Sequence, residues 1–189
     1  MANSFSRPLL AVGLLLASST ALQADEPAYS YIEGGFSLLN LDAPGSSTEA
    51  GFFGSLSTRL SDAVYVTAAY EEYDLGRGDL GLFKAGLGFR SAINDRTDFN
   101  VELGYDHLDA GSDDADGFRG TVGLRSSMSE RFQSRAYVGY STDDDFDNGD
   151  FLVGLEGNLL FTDRIAMTLQ AESFEFDLNF YRLGLRFMF

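Results

Sequence analysis

The chain contains a single histidine, His107, and no cysteine. Asp106 and Asp109 flank His107, so a carboxylate-supported general base is the one hydrolytic chemistry it could offer. Leu108 and Asp109 follow it where a nearby nucleophile would be needed, so the histidine reads as interfacial and no catalytic set is assigned. The run Asp143-x-Asp145-x-Asp147-Asn148-Gly149 resembles a calcium loop. Its glycine falls one place late, and Gly154 stands where the bidentate glutamate belongs. No metal site and no cofactor are expected; a loose cation-binding surface is the weaker reading of these clustered carboxylates. The remaining chemistry is charge: arginines and carboxylates placed at alternate positions among apolar residues.

Such residues need elements to place them, and composition limits which. In 189 residues there are 29 Asp+Glu against 13 Lys+Arg, a formal charge of −16, which disfavours any nucleic-acid partner. Hydrophobic residues make up 44% of the chain, so it is not an acidic disordered protein. The 17 Phe, nine Tyr and 21 Gly, with three Pro and no Trp, suit many strands joined by turns. Arg7, the apolar run at residues 9–17 and the small residues before Asp25 have the pattern of an export leader. The run is too short to span a bilayer as a helix. Two regions follow: a signal peptide over 1–24, with cleavage after Ala21 as the alternative, and one domain over 25–189.

The domain repeats. Four short polar turns, at Asp62, Asp95, Glu130 and Asp163, stand 33, 35 and 33 residues apart. Longer acidic segments lie between them, at 41–49, 74–79, 109–116 and 143–150, with a short one near Asp177. Ten strands are expected, roughly 29–40, 50–60, 64–73, 80–91, 97–108, 117–127, 132–142, 151–161, 165–176 and 179–189. Short turns alternating with long loops describe an up-and-down antiparallel meander. Along residues 97–108, for example, Phe99, Val101, Leu103 and Tyr105 alternate with Asn100, Glu102, Gly104 and Asp106.

Alternation alone leaves open which face is interior. Three features turn the apolar face outward, toward lipid. Strands of ten to twelve residues suit the ~9–11 that cross a bilayer at a tilt. Aromatic residues gather at both ends of the apolar stripes, as two membrane interfaces favour. The polar face carries arginine rather than the lysine of a solvated exterior. The expected fold is therefore all-β: a closed, up-and-down, antiparallel transmembrane barrel of ten strands, with eight as the alternative. Its lumen would hold Arg59, Lys84, Arg90, Arg119, Arg125, Arg135, Arg182 and Arg186, with Glu33, Glu71, Glu102, Asp106, Glu156 and Glu172. Inward glycines would leave room for the arginine forks. In a barrel this narrow, a plug of Arg–carboxylate pairs is expected, and a charged conduit is the alternative.

The chain ends Tyr181-x-Leu183-x-Leu185-x-Phe187-x-Phe189, which looks like the strand read by the outer-membrane barrel assembly machinery. Its domain starts Tyr29-Ser30-Tyr31-Ile32-Glu33-Gly34-Gly35-Phe36, which resembles the first strand of the small OmpA/OmpX-like, porin-like barrels of Gram-negative bacteria. The resemblance covers all of 25–189; ten strands depart from the eight of the best-known members. It implies an outer-membrane protein with extracellular loops and periplasmic termini, in contact with outer-membrane lipids and lipopolysaccharide. Periplasmic chaperones and the assembly machinery would be its partners during biogenesis, and the barrel would be monomeric. The function implied is a porin-like or structural role in the cell envelope. A narrow passive channel for ions or small solutes is the alternative, and a lipid- or peptide-hydrolysing barrel the second. Lipid-facing deacylases of this kind place a His-x-Ser where this chain has His107-Leu108-Asp109. Ten-stranded omptin-like proteases show only a faint echo in Asp106, His107 and Asp109. Neither match supports an enzyme.

Overall fold

The computed structural model describes residues 26–41, 48–76, 78–111, 114–143 and 149–189. The expected leader, residues 1–24, lies outside them, as do residues 144–148 of the calcium-like run. Ten strands follow one another: β1 (Tyr31–Leu41), β2 (Thr48–Arg59), β3 (Val64–Asp74), β4 (Asp79–Asn94), β5 (Thr97–Asp109), β6 (Asp114–Ser129), β7 (Phe132–Asp143), β8 (Gly149–Leu160), β9 (Ile165–Phe174) and β10 (Leu178–Met188). Each pairs antiparallel with its sequence neighbours, and β1 closes on β10 from Tyr31↔Met188 to Leu41↔Leu178. The eight-stranded alternative falls. A closed ladder leaves no edge, so every strand finds two partners, which is what a sheet in lipid requires.

Several boundaries differ from the periodicity. β4 and β6 run to 16 residues, because their ladders continue past a register shift to the tight turns at Asn94↔Thr97 and Ser129↔Phe132. β9 stops at Phe174 rather than 176. Glu175 (φ 50°) and Phe176 (φ 66°) adopt left-handed backbone, and the Asp177 amide donates to the Phe174 carbonyl at 3.0 Å. Two successive positive φ values make the twisted two-residue turn that suits a hairpin. At the other end β1 begins at Tyr31, not 29. Residues 26–30 leave the ladder and enter the barrel mouth.

The two faces separate cleanly. Phe52, Tyr70, Phe83, Tyr105, Phe118, Tyr140, Phe151 and Tyr181 are exposed on the outside near the loops. Phe89, Phe99, Phe132, Phe161 and Phe187 form a second exposed ring near the short turns. Leu87, Leu103, Val122, Leu155, Leu169 and Leu185 lie between, also exposed. An apolar band between two aromatic girdles is the surface that a bilayer solvates. The packed interior is the lumen itself, and most of its large buried groups are polar.

Inward glycines serve that interior in a way their spacing did not indicate. Tyr65 faces Gly88 across the β3–β4 pair, and Tyr137 faces Gly154 across β7–β8. A Cβ at either glycine would stand 2.0 Å from the Cζ of the facing ring. These two glycines are spaces for tyrosine rings laid along the inner wall. Only at Gly104 does an arginine, Arg119, take the nearby room, at 3.6 Å.

Candidate functional site

Strand parity brings all fourteen charged residues named above to the inner face. They gather into separate clusters. Toward the loop end, Arg182 clasps Glu71 with a two-pronged grip: Nε donates to Oε2 at 2.9 Å and Nη2 to Oε1 at 2.7 Å. Lys84 lies 3.3 Å from Glu71 and 3.1 Å from Glu172, and Arg182 reaches Glu172 at 3.3 Å. Tyr73 and Tyr137 donate their hydroxyls to Glu71 and Glu172, each at 2.6 Å. Two cations thus meet two carboxylates with strong, charge-assisted donors on each. Beside them Arg119 pairs with Asp106 at 3.4 Å.

Toward the turn end, Arg186 bridges Glu33 and Glu156, with contacts of 2.5 and 2.7 Å. Its guanidinium also lies 3.7 Å from the centre of the Tyr31 ring. Gln170 donates to Glu33 and Asn158 to Glu156, so both carboxylates carry a further partner. Glu102 meets Arg135 at 3.6 Å. Arg125, by contrast, has no carboxylate within 4 Å among the described residues. Its Nη1 donates to the Ala28 carbonyl at 2.5 Å, and its guanidinium stacks 4.5 Å from the Tyr29 ring. Arg90 contacts Asp98 at 3.2 Å and Glu26 more closely, and Arg59 contacts Glu26 at 3.5 Å.

Glu26 and Asp98 are the carboxylates that the sequence reading missed. Asp98 shares its parity with Asn100 and Glu102 and lies inside the expected strand 97–108, so following the alternation two residues back from Asn100 finds it. Glu26 carries no such signal, because the segment that holds it is not a strand. Counting both, eight acidic groups face eight basic ones, and the lumen is neutral. Burial without net charge is the condition under which so many ions can leave water.

Apolar side chains occupy both mouths. Leu39, Tyr73, Leu82 and Phe180 pack together inside the loop end, with Leu80, Leu108, Phe174 and Leu178 against them. Ala28, Tyr31, Ala166 and Met188 pack together at the turn end. Between the two, a cavity of about 100 Å³ remains along the charged clusters. Tyr31, Leu39, Tyr73, Leu82 and Phe180 are apolar residues at the inward parity of the charged groups, so reading apolar type as outward misses them.

The candidate hydrolytic trio comes apart. Asp106 points inward to Arg119, whereas His107 points outward, its Nδ1 2.8 Å from Asp116 Oδ1. Tyr105 donates to the same carboxylate. Among the described residues no hydroxyl nucleophile bonds to His107, and no group of three or more metal-ligating side chains occurs. The terminal Tyr181, Leu183, Leu185 and Phe187 lie exposed on the outer face of β10, and Phe189 is half-buried.

No protein-family model matches the chain, nor does any curated protein. Solved structures do. The chain is similar to the KdgM porin in complex with disordered oligogalacturonate: 9% identity over 84% of this chain and 99% of that one, with a TM-score of 0.50. The KdgM porin alone aligns over the same shares at 10% identity and a TM-score of 0.50. The NanC porin aligns at 11% identity over 85% and 100%, with a TM-score of 0.44. Identities this low speak for the fold. That fold is a porin-like transmembrane β-barrel.

Proposed function

We propose that this protein is an integral outer-membrane barrel of OmpA/OmpX-like character, with a structural or surface role and a plugged lumen. One observation carries the reading: every described inward carboxylate cluster is matched by guanidinium or ammonium groups, and apolar caps stand over both ends. A cavity of about 100 Å³ holds a few waters. It is far smaller than an aqueous pathway. The leader, residues 1–24, delivers the chain across the inner membrane and is removed. The terminal strand from Tyr181 to Phe189 presents the barrel to the assembly machinery after chaperones carry it through the periplasm. The barrel then sits as a monomer among outer-membrane lipids and lipopolysaccharide, with loops outside and termini in the periplasm.

A second reading, a narrow passive channel for ions or small solutes, is favoured by the charged lining of the lumen and by the oligogalacturonate held in a KdgM structure. Planar-bilayer recording of the refolded mature protein separates the two. Silence over many insertions is expected, with insertion verified by protease protection. Steady unitary steps would establish the channel and overturn the plug. His107, half-buried and bonded to Asp116 on the outer face, has no hydroxyl nucleophile bonded to it among the described residues and gives the hydrolase reading no support.

A further inference from the structure

The turn-end mouth holds three guanidiniums that the strands supply and a carboxylate that they do not. Arg59 ends β2, Arg90 lies in β4 and Arg125 in β6. Among the described strand residues only Asp98 forms an ion pair with any of them, through Arg90, and Glu156 acts on Arg125 from beyond contact distance. Without residues 26–30 two of the three guanidiniums, Arg59 and Arg125, would therefore have no carboxylate in contact among the described residues. Glu26 supplies one counter-charge, in contact with both Arg59 and Arg90. Tyr29 supplies a ring face to Arg90 and Arg125, at 5.0 and 4.5 Å, and packs on the Tyr65 ring at 4.8 Å. Cations over aromatic faces attract through the ring quadrupole, more strongly where water is excluded. Tyr29 is 2% exposed and Ala28 3%.

The segment is nevertheless held unlike a strand. Its polar contacts are one each from Arg125 to the Ala28 carbonyl, from Ser57 to the Tyr29 carbonyl and from Gln133, which accepts from the Ala28 amide at a long 3.4 Å. Ser30 alone receives backbone donors, from Phe189 to its carbonyl and from Arg59 to its hydroxyl. Pro27 has no amide to donate and keeps its predecessor extended. The Glu26 side chain remains 41% exposed. A carboxylate and a ring three residues apart, docked into side chains and reachable by water, behave as a ligand tethered to its receptor.

We propose that the turn-end mouth is a carboxylate-binding site for extended peptides bearing Glu-x-x-Tyr chemistry, and that residues 26–30 are its displaceable resident. The probe is the acetylated, amidated pentapeptide of residues 26–30, labelled with a fluorophore, and its counterpart with glutamine in place of glutamate. The proteins are the refolded mature chain and its Glu26→Gln variant in micelles, with folding checked by circular dichroism and heat-modifiable gel mobility. Glu26→Gln weakens the resident, so it should bind the glutamate peptide at least tenfold more tightly than the unaltered chain does. The glutamine peptide should bind at least tenfold more weakly, and adding Arg90→Gln should abolish binding. Because the chain has no cysteine, Ala28→Cys introduces a unique thiol that reports undocking by its maleimide reactivity. In that variant, with Glu26 intact, the glutamate peptide should accelerate labelling several-fold and the glutamine peptide should not; this arm also serves if Glu26→Gln does not refold. Peptide binding equal in both proteins, or unaffected by Arg90→Gln, overturns the site. Labelling that no peptide accelerates overturns displacement and leaves residues 26–30 a fixed part of the wall.

Discussion

The four-membered cluster of Glu71, Glu172, Lys84 and Arg182 permits a stability prediction with a definite sign. Glu71 is 2% exposed, accepts from Arg182 twice and from Tyr73, and forms an ion pair with Lys84. Glu71→Gln keeps the shape and removes the charge, leaving Lys84 and Arg182 to share Glu172 alone. Removing one partner of a buried ion pair costs about 3–5 kcal/mol, because the other charge is left uncompensated. At about 1.4 kcal/mol per decade, the folded-to-unfolded ratio falls by two to more than three decades. Lys84→Gln unbalances the cluster in the opposite sense. The double variant restores neutrality, with Arg182 still on Glu172, so the two costs should fall short of adding by at least ~1.5 kcal/mol. The chain has no tryptophan, so urea unfolding in lipid or micelles is followed by far-ultraviolet circular dichroism and gel mobility. A Glu71→Gln cost below ~1 kcal/mol with no coupling to Lys84 would match a hydrated, surface-like pair. That result refutes the reasoning, and with it the plug.

Three further outcomes are expected. Leu103→Arg places a charge on the lipid face between the girdles and should cost about 2–4 kcal/mol, whereas Leu103→Val should cost less than ~1.5 kcal/mol; equal effects in the same urea titration would mean that this face does not meet lipid. Gly88→Ala drives a methyl into the Tyr65 ring and should cost about 1–3 kcal/mol, with the added cost reduced in a Tyr65→Ala background; additivity in that cycle would show that the ring does not need the space. Deleting Phe189 should leave exported protein in the periplasm, and normal amounts in outer-membrane fractions would remove the terminal strand's assembly role.

Much of the barrel was legible because two-residue periodicity decides which residues face which way. Strand number, the faces and the parity of the lumen charges all follow from it. Pairing across the lumen does not, because it depends on strand stagger and on how far a long side chain reaches. Periodicity groups Glu102 with Arg119 and Arg125 as neighbours, yet its partner is Arg135, on a strand two further along. Tyr73 and Phe180 look like members of the aromatic girdle by type, and only their shared parity with Glu71 and Arg182 sends them inward. Residues 26–30 were the least legible. They reverse the alternation of β1, with Glu26 and Ser30 at the outward parity of Ile32, and what turns them into the mouth is the excess of guanidinium waiting there, contributed by three separate strands.

The location of the net charge joins these observations. Eight basic and eight acidic groups cancel in the lumen, so the whole formal charge of −16 falls on the rest of the chain. Among the described residues of the loop end, Glu49, Glu72, Asp74, Asp79, Asp109, Asp114, Asp116, Asp143, Asp150, Glu175 and Asp177 are acidic and none is basic. The short turns are nearly balanced, with Arg96, Arg131 and Arg164 against Asp62, Asp95, Glu130 and Asp163. A concentration of one sign at one mouth repels ions of that sign and draws in the other, within about 8–10 Å at ordinary salt. An anion approaching from the loop end meets that field, then the packed Leu39, Tyr73, Leu82 and Phe180, before it reaches an arginine. From the turn end it meets residues 26–30, which already carry a carboxylate, beside the packed Ala28, Tyr31, Ala166 and Met188. The same charge distribution that weighs against an anion channel therefore makes the guanidiniums of the turn-end mouth accessible from one side of the membrane alone, the side that holds Glu26 and Phe189.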